Sequence, residues 1–272
     1  MVISGDKTKL LIFGTYSNRN SKLVSKGIHI NIEIGEDVVT ESNSEKLLGI
    51  IMNNNLSWKS HLEGDNDNIG LLKHLSKRIG ILKKIRTYMP TKKFVIAVNS
   101  IFTSKLIYGI TVWGGLWGLA NQQNNPRNHM SISKNNMRKL QILQNKTLRL
   151  ISGLNYETPT KTLLEKCNQL SVHQMVAFHT ACQVFKIKHS RLPTYHHNRL
   201  FPDEESTFSQ TRQQDTNIAR IDFKLSLARS SFFYQAYQIW SLLPENIRLS
   251  KNITAFKSSC KTWIKKNILV KI

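Results

Sequence analysis

The sequence predicts an α+β fold that is mostly α: a small antiparallel β-sheet at the N-terminus, then helices almost to the end. Two patterns carry this reading. Ile28, Ile30, Ile32 and Ile34 alternate with His29, Asn31 and Glu33, the period of a half-buried strand. From residue 71 onward, apolar residues recur every three or four positions with Lys and Arg opposite them, the period of amphipathic helices.

In chain order, Gly5-Asp6 supplies a turn and Leu10 to Phe13 reads as a buried strand. Residues 15–26 are polar, a loop. Gly35-Glu36-Asp37 turns the isoleucine strand into Val38-Val39-Thr40, a hairpin. Leu47, Leu48, Ile50 and Ile51, interrupted by Gly49, read as a further buried strand. Strands are therefore expected near 9–13, 27–34 and 46–52 in one small sheet. Its isoleucine face should be the buried one, since a one-residue slip would put four isoleucines into water. Asn53, Asn54 and Asn55 then make a turn, because Asn tolerates left-handed backbone better than other non-glycine residues. Leu56, Ser57 and Trp58 lead on to His61.

The helical part opens with a stripe of Leu71, Leu75, Ile79, Leu82, Ile85 and Met89, with Lys73, Lys77, Lys83 and Lys84 on the other side. Pro90-Thr91 ends it and starts a segment from Phe94 to Ile107 that is apolar nearly all round, a core helix. Residues 121–136, rich in Asn and Gln, read as a polar linker. A helix over 134–152 should turn Leu140, Leu143, Leu148 and Ile151 inward and Lys134, Arg138, Lys146 and Arg149 outward. Further helices are expected at Thr160, over 171–188, and around Phe256, Cys260, Trp263 and Ile264. Pro193 to Gln214 reads as a long loop with an acidic cluster, Asp203, Glu204 and Glu205. The resulting division is 1–63 strands, 64–120 helical, 121–136 linker and 137–272 helical.

Charge narrows the partner. Across 272 residues, 39 Lys and Arg face 17 Asp and Glu, a net charge of +22. The excess calls for a polyanion, either nucleic acid or an anionic membrane. No apolar run approaches the roughly 20 residues that span a bilayer, and the N-terminus has no signal-peptide pattern, so nucleic acid is the better fit. Three widely spaced cysteines, Cys167, Cys182 and Cys260, suit a reducing compartment better than a disulfide framework. One helix with Lys opposite Leu is ordinarily just a solvated face. Three such helices with few acids make the footprint of phosphate contact, and Lys73, Lys77, Lys84, Lys134, Arg138, Lys146 and Arg149 are the candidate binding residues.

Several strings in order resemble non-LTR (LINE-type) retrotransposon reverse transcriptases. The segment LLGIIMNNNLSWKSHL, with Gly49, Trp58 and His61, resembles the family's Y-L-G-x-x-x-D-x-x-L-S-W-x-x-H-I. Lys7, Thr8 and Phe13 resemble its N-x-x-K-T-x-x-x-x-F, with Ser4 in place of the usual Asn. Leu106, Tyr108, Gly109, Trp113 and Gly114 resemble L-x-Y-G-x-x-x-W-G. LQNKTLRLISGL resembles L-Q-N-K-A-L-R-x-I-x-G, and Thr158-Pro159 with Leu163-Leu164 resembles T-P-x-x-x-L-L. Arg229, Ser231, Phe232, Phe233, Trp240, Leu243, Pro244 and Phe256-Lys257 resemble the terminal R-x-S-F-F…W-N-x-L-P…F-K, Ser241 replacing Asn. The resemblance implies the end of a polymerase palm, a helical thumb and a helical C-terminal extension that grip RNA and DNA as primer-template. It also implies Mg2+ in the intact polymerase, an endonuclease in the same polypeptide, and residence in nucleus and cytoplasm.

Polymerases hold two metal ions with paired carboxylates. The family's adjacent Asp pair occurs nowhere in this sequence and would fall before Met1, so the chain alone is expected to be inactive and without a cofactor. Asp65 and Asp67 lack the remaining ligands of a calcium loop and read as helix-capping residues. Cys167, His173, His179 and Cys182 are zinc-type residues at spacings that fit no short-loop pattern, so they read as ordinary helix residues. His61, Trp113 and Trp240 read as core or capping side chains. Two other readings stay open: a non-catalytic nucleic-acid-binding or interaction protein of retrotransposon origin, and a decayed open reading frame.

Overall fold

Two hairpins begin the fold. The computed structural model describes residues 4–14, 30–115, 132–202, 218 and 231–268. The chain forms two units, Met1–His74 and Leu75–Ile272. In the first, β1 (Asn31–Ile34) pairs antiparallel with β2 (Asp37–Thr40), and β3 (Ser44–Leu47) with β4 (Ile50–Asn53). They are separate two-stranded sheets, not one sheet. Leu10 makes a lone bridge to Glu41, and Leu11 to Phe13 form no strand.

The single strand expected over 46–52 is a hairpin. Leu48 (φ 48°) and Gly49 (φ 82°) reverse the chain, a turn that needs two left-handed residues. Leu48 is 83% exposed, so the apolar run is not a buried one. The isoleucine face is also shallower than expected. Ile30 and Ile32 are 37% and 44% exposed, and only Val39, opposite Ile32, is buried. Among the described residues this ribbon pairs with no third strand. Ile28 and His29 lie outside the described residues.

Helix α1 (Lys59–Glu63) packs on β4. His61 Nδ1 accepts the Ile51 N–H at 3.3 Å, and Asn53 donates to Ser60 Oγ at 2.8 Å. The left-handed residues here are Leu56 and Trp58 (φ 53° and 55°), not the three asparagines. Asn55 instead accepts the Ser57 N–H at 3.1 Å and holds the turn from its side chain. Asp65 likewise organises a loop and caps no helix. Its carboxylate takes hydrogen bonds from Asp67 N, Asn68 N, Asn68 Nδ2 and Ser44 Oγ. Burial raises its pKa, but those donors outweigh it and the net shift is downward.

Helix α2 (Leu71–Arg86) contains the boundary between the units and buries the expected Leu71, Leu75, Ile79 and Leu82. Then come α3 (Thr91–Val98), a π-turn (Asn99–Thr103), α4 (Ser104–Ile107) and α5 (Ile110–Trp113). The expected all-apolar core helix buries one row, Phe94, Val98, Phe102 and Leu106, and leaves Ile96 65% exposed. The remaining helices are α6 (Lys134–Ser152), α7 (Thr160–Lys166), α8 (Val172–Ser190), α9 (Thr194–Leu200), α10 (Phe232–Leu242), α11 (Glu245–Arg248) and α12 (Ile253–Asn267). Helix α9 lies where a long loop was expected; the acidic cluster at 203–205 is outside the described residues.

The hub of the helical unit is α8. It contacts α5, α6, α9, α10 and α12, and Val176, Ala177, Ala181, Val184 and Ile187 are wholly buried. Phe185 stacks on Phe256 of α12 at 4.3 Å, and Phe256 on Trp240 of α10 at 5.9 Å. Ser171 and Gln174 form a reciprocal cap at the start of α8. The same Gln174 amide donates to Ile268 O at 2.8 Å, tying that cap to the end of α12.

Candidate nucleic-acid interface

The net positive charge falls on one unit. Met1–His74 carries 8 Lys and Arg against 9 Asp and Glu, a net −1. Leu75–Ile272 carries 31 against 8, a net +23.

Helix α6 shows how the sequence points this charge outward. Ser133 caps its start by accepting the Asn136 N–H at 3.1 Å, and Gly153 in left-handed conformation (φ 67°) ends it. Leu140, Leu143 and Leu148 are buried, with Ile151 partly so. Lys134, Arg138 and Lys146 are exposed. Together with Ile142 they fall four residues apart on one seam, about 18 Å from first to last at 1.5 Å per residue.

Beside these leucines and the buried Met137, the inner surface of α6 carries buried amides, which periodicity does not announce. Gln141 donates to Gln144 Oε1 at 2.8 Å and to Asn145 Oδ1 at 2.9 Å. Gln144 donates to Leu170 O at 2.7 Å, Asn145 to Thr160 Oγ1 at 2.7 Å, and Val172 N to Gln141 Oε1 at 3.0 Å. This ladder of buried amides holds the start of α7 through Thr160 and the start of α8 through Leu170 and Val172. Buried side-chain amides are tolerated only when their partners are supplied, and here they come from one another, from the Thr160 hydroxyl and from the backbone at Leu170 and Val172.

Arg149 departs from the expected outward face. It is half-buried, and its guanidinium donates to Asn155 O at 3.3 Å, Tyr156 O at 2.7 Å and Thr158 O at 3.2 Å. It also lies 4.9 Å from the Tyr156 ring centroid. It therefore clasps the loop after α6, with Nε and Nη2 committed to carbonyls there.

On α2, Lys73, Lys77 and Lys84 are exposed on one face, and Lys83 is exposed beside them. The arginines of the same helix turn inward. Arg78 donates to Ile101 O in the π-turn. Arg86 donates to Leu150 O at 2.8 Å and Met89 O at 3.1 Å, and sits 5.1 Å from the Phe94 ring. In these helices lysine covers the surface, while these arginines close backbone ends with their rigid, many-donor guanidinium.

The motif residues have local structural work. Gly109 adopts φ 62°, which lets Tyr108 O accept the Trp113 indole N–H at 2.8 Å. Trp113 is wholly buried, and a Cβ on Gly114 would run into Ile110 O and Val176. Gly49 makes the β3–β4 turn, and Trp58 and His61 are buried beneath β4. Thr8 Oγ1 donates to Ser4 O at 2.8 Å, and Lys7 is exposed. Trp240 is wholly buried, and Pro244 stands at the start of α11.

Of the zinc-type residues, His179 and Cys182 lie one turn apart on α8 and line one cavity. No group of three or more His, Cys, Asp and Glu among the described residues is placed to hold a metal ion. Cys167 packs against Leu148, Leu163 and Leu164, away from the others, and all three cysteines are free thiols. Burial pushes the Cys182 thiol up to about 11. Burial, then Lys257 and Lys186, hold His179 below its usual pKa. No helix among the described residues is long and apolar enough to cross a membrane. No family model, no curated protein and no solved structure matches this chain.

Proposed function

We propose that this chain is the nucleic-acid-gripping region of a non-LTR retrotransposon reverse transcriptase: terminal palm strands, helical thumb and helical C-terminal extension. The observation that carries the reading is the charge partition, with the entire positive excess on the helical unit and none on the hairpins. The order of the motif strings supports it, as does the exposure of Lys73, Lys77, Lys84, Lys134, Arg138 and Lys146. Their partner is the phosphate backbone of primer-template, RNA and DNA, bound without regard to base sequence. The sequence contains no adjacent Asp pair, so metal-dependent nucleotide transfer belongs to other parts of the intact protein.

The test is binding of an RNA–DNA hybrid of arbitrary sequence by fluorescence anisotropy across a range of salt. Expected are similar affinities for unrelated sequences and a steep linear fall of log affinity with log salt. A flat salt response refutes the reading. With primed RNA and Mg2+ the chain alone should extend nothing. A non-catalytic nucleic-acid-binding protein of the same origin is the second reading, favoured by the missing Asp pair. The upstream coding sequence separates the two: an in-frame Asp-Asp polymerase motif supports the first.

A further inference from the structure

The helical unit holds a half-open cavity of about 370 Å3. It lies between α8, the α4–α5 corner and α12. Phe178, His179 and Gln183 are half-buried and Lys186 is exposed, on a helix otherwise buried along most of its length. His179, Gln183 and Lys186 fall at i, i+4 and i+7, one face of the helix. Ile107, Ile110 and Phe178 supply apolar lining. Thr111, His179 and Gln183 supply hydroxyl, imidazole and amide. Lys186 and Lys257 supply two cations, and no carboxylate is among the lining residues.

Such a lining asks for a ligand with three matching parts. The volume suits one drug-sized molecule. The apolar wall suits a flat ring, the directional groups suit ring-edge donors and acceptors, and two lysines without a counter-charge suit a phosphate. We propose that this cavity binds a single phosphorylated nucleotide, its phosphate between Lys186 and Lys257 and its base against Phe178, Ile107 and Ile110. His179 fits the assignment. Burial and the two lysines keep it neutral near physiological pH, so its ring can donate one hydrogen bond and accept another. The occupant is either a free nucleoside monophosphate or the 5′-terminal nucleotide of a strand. The site shares no residue with the seams on α2 and α6, so it stands or falls separately from them.

Calorimetric titration of the full chain with AMP, adenosine and inorganic phosphate tests the site. AMP should bind, with adenosine and phosphate each weaker by about tenfold or more, the worth of one charge-assisted contact. Lys186→Gln with Lys257→Gln should weaken AMP by about 100-fold. Lys166→Gln with Lys251→Gln removes the same charge elsewhere and should change it less than about twofold. By NMR, AMP should raise the His179 pKa, because the phosphate offsets the two lysines. A 5′-phosphorylated oligothymidylate that outcompetes its 5′-hydroxyl twin for AMP assigns a strand end; equal competition assigns the free nucleotide. No AMP binding at millimolar concentration, or equal losses in the two double variants, overturns the proposal. So does unchanged binding in Thr111→Trp, which fills the cavity. Arg138→Gln with Lys146→Gln should leave AMP binding intact, which separates failure here from failure of the proposed function.

Discussion

Arg138→Gln combined with Lys146→Gln removes two charges from the exposed seam of α6 without touching its core face. The two residues stand eight apart, about 12 Å along the axis at 1.5 Å per residue. Each phosphate contact contributes about −0.9 to the slope of log affinity against log salt on a duplex, and about −0.7 on a single strand. Losing both should flatten the slope by about 1.8 or 1.4. Over a fourfold rise in salt, the wild type should then lose about tenfold more duplex affinity than the double variant. Anisotropy titrations at four or more salt concentrations, with circular dichroism as the check on folding, read this directly. An unchanged slope in a folded double variant refutes the assignment of the seam. Arg149→Gln is the internal contrast. Its guanidinium serves carbonyls of the loop after α6, so the slope should hold while stability falls by about 1–2 kcal/mol.

Gln144→Leu takes the donor from Leu170 O and breaks the link to Gln141, which should cost about 1–3 kcal/mol in urea unfolding. An unchanged midpoint would leave the amide ladder without a structural role. Leu48→Asn relieves a left-handed leucine at an exposed turn and should stabilise the N-terminal hairpins by up to about 1 kcal/mol, read as slower amide exchange. Faster exchange contradicts that. His179 has a folded pKa below 6.5, so the unfolded chain takes up this proton first. Its contribution is fully present above 6.5 and is lost as pH falls through the lower folded value. His179→Gln should flatten stability against pH on that acid side, and an unaltered profile excludes the residue as the cause.

Helix α6 was legible because every level of its sequence agrees. A serine cap, a left-handed glycine stop and a 3.6-residue leucine row all give the bounds Lys134–Ser152. The strand expected over 46–52 failed for a local reason. Gly49 interrupts an apolar run, and a glycine able to take positive φ equally permits the run to double back. The isoleucine alternation named the pleat correctly and the depth wrongly, since period two reports which side faces which, not what covers it. Hydropathy also treats polar as outward. It passed over Gln141, Gln144 and Asn145, whose partners lie at the starts of the next two helices. For the same reason it placed Arg149 on a binding face. Periodicity assigns a direction, and only the fold assigns a partner. The cavity on α8 was invisible because its residues look like the other members of a helix apolar on most sides.

The uneven distribution of charge has a consequence for folding itself. A body at +23 strains against its own like charges, and that strain deepens as salt is withdrawn. The helical unit is thus weakest in the dilute buffers where polyanions hold most tightly. A bound strand cancels the repulsion and adds its own binding energy to the native state. It acts there as a structural counter-ion, a molecular substitute for missing salt. The hairpin unit, at −1, has no such dependence, so one chain should show two unfolding responses to the same ionic strength.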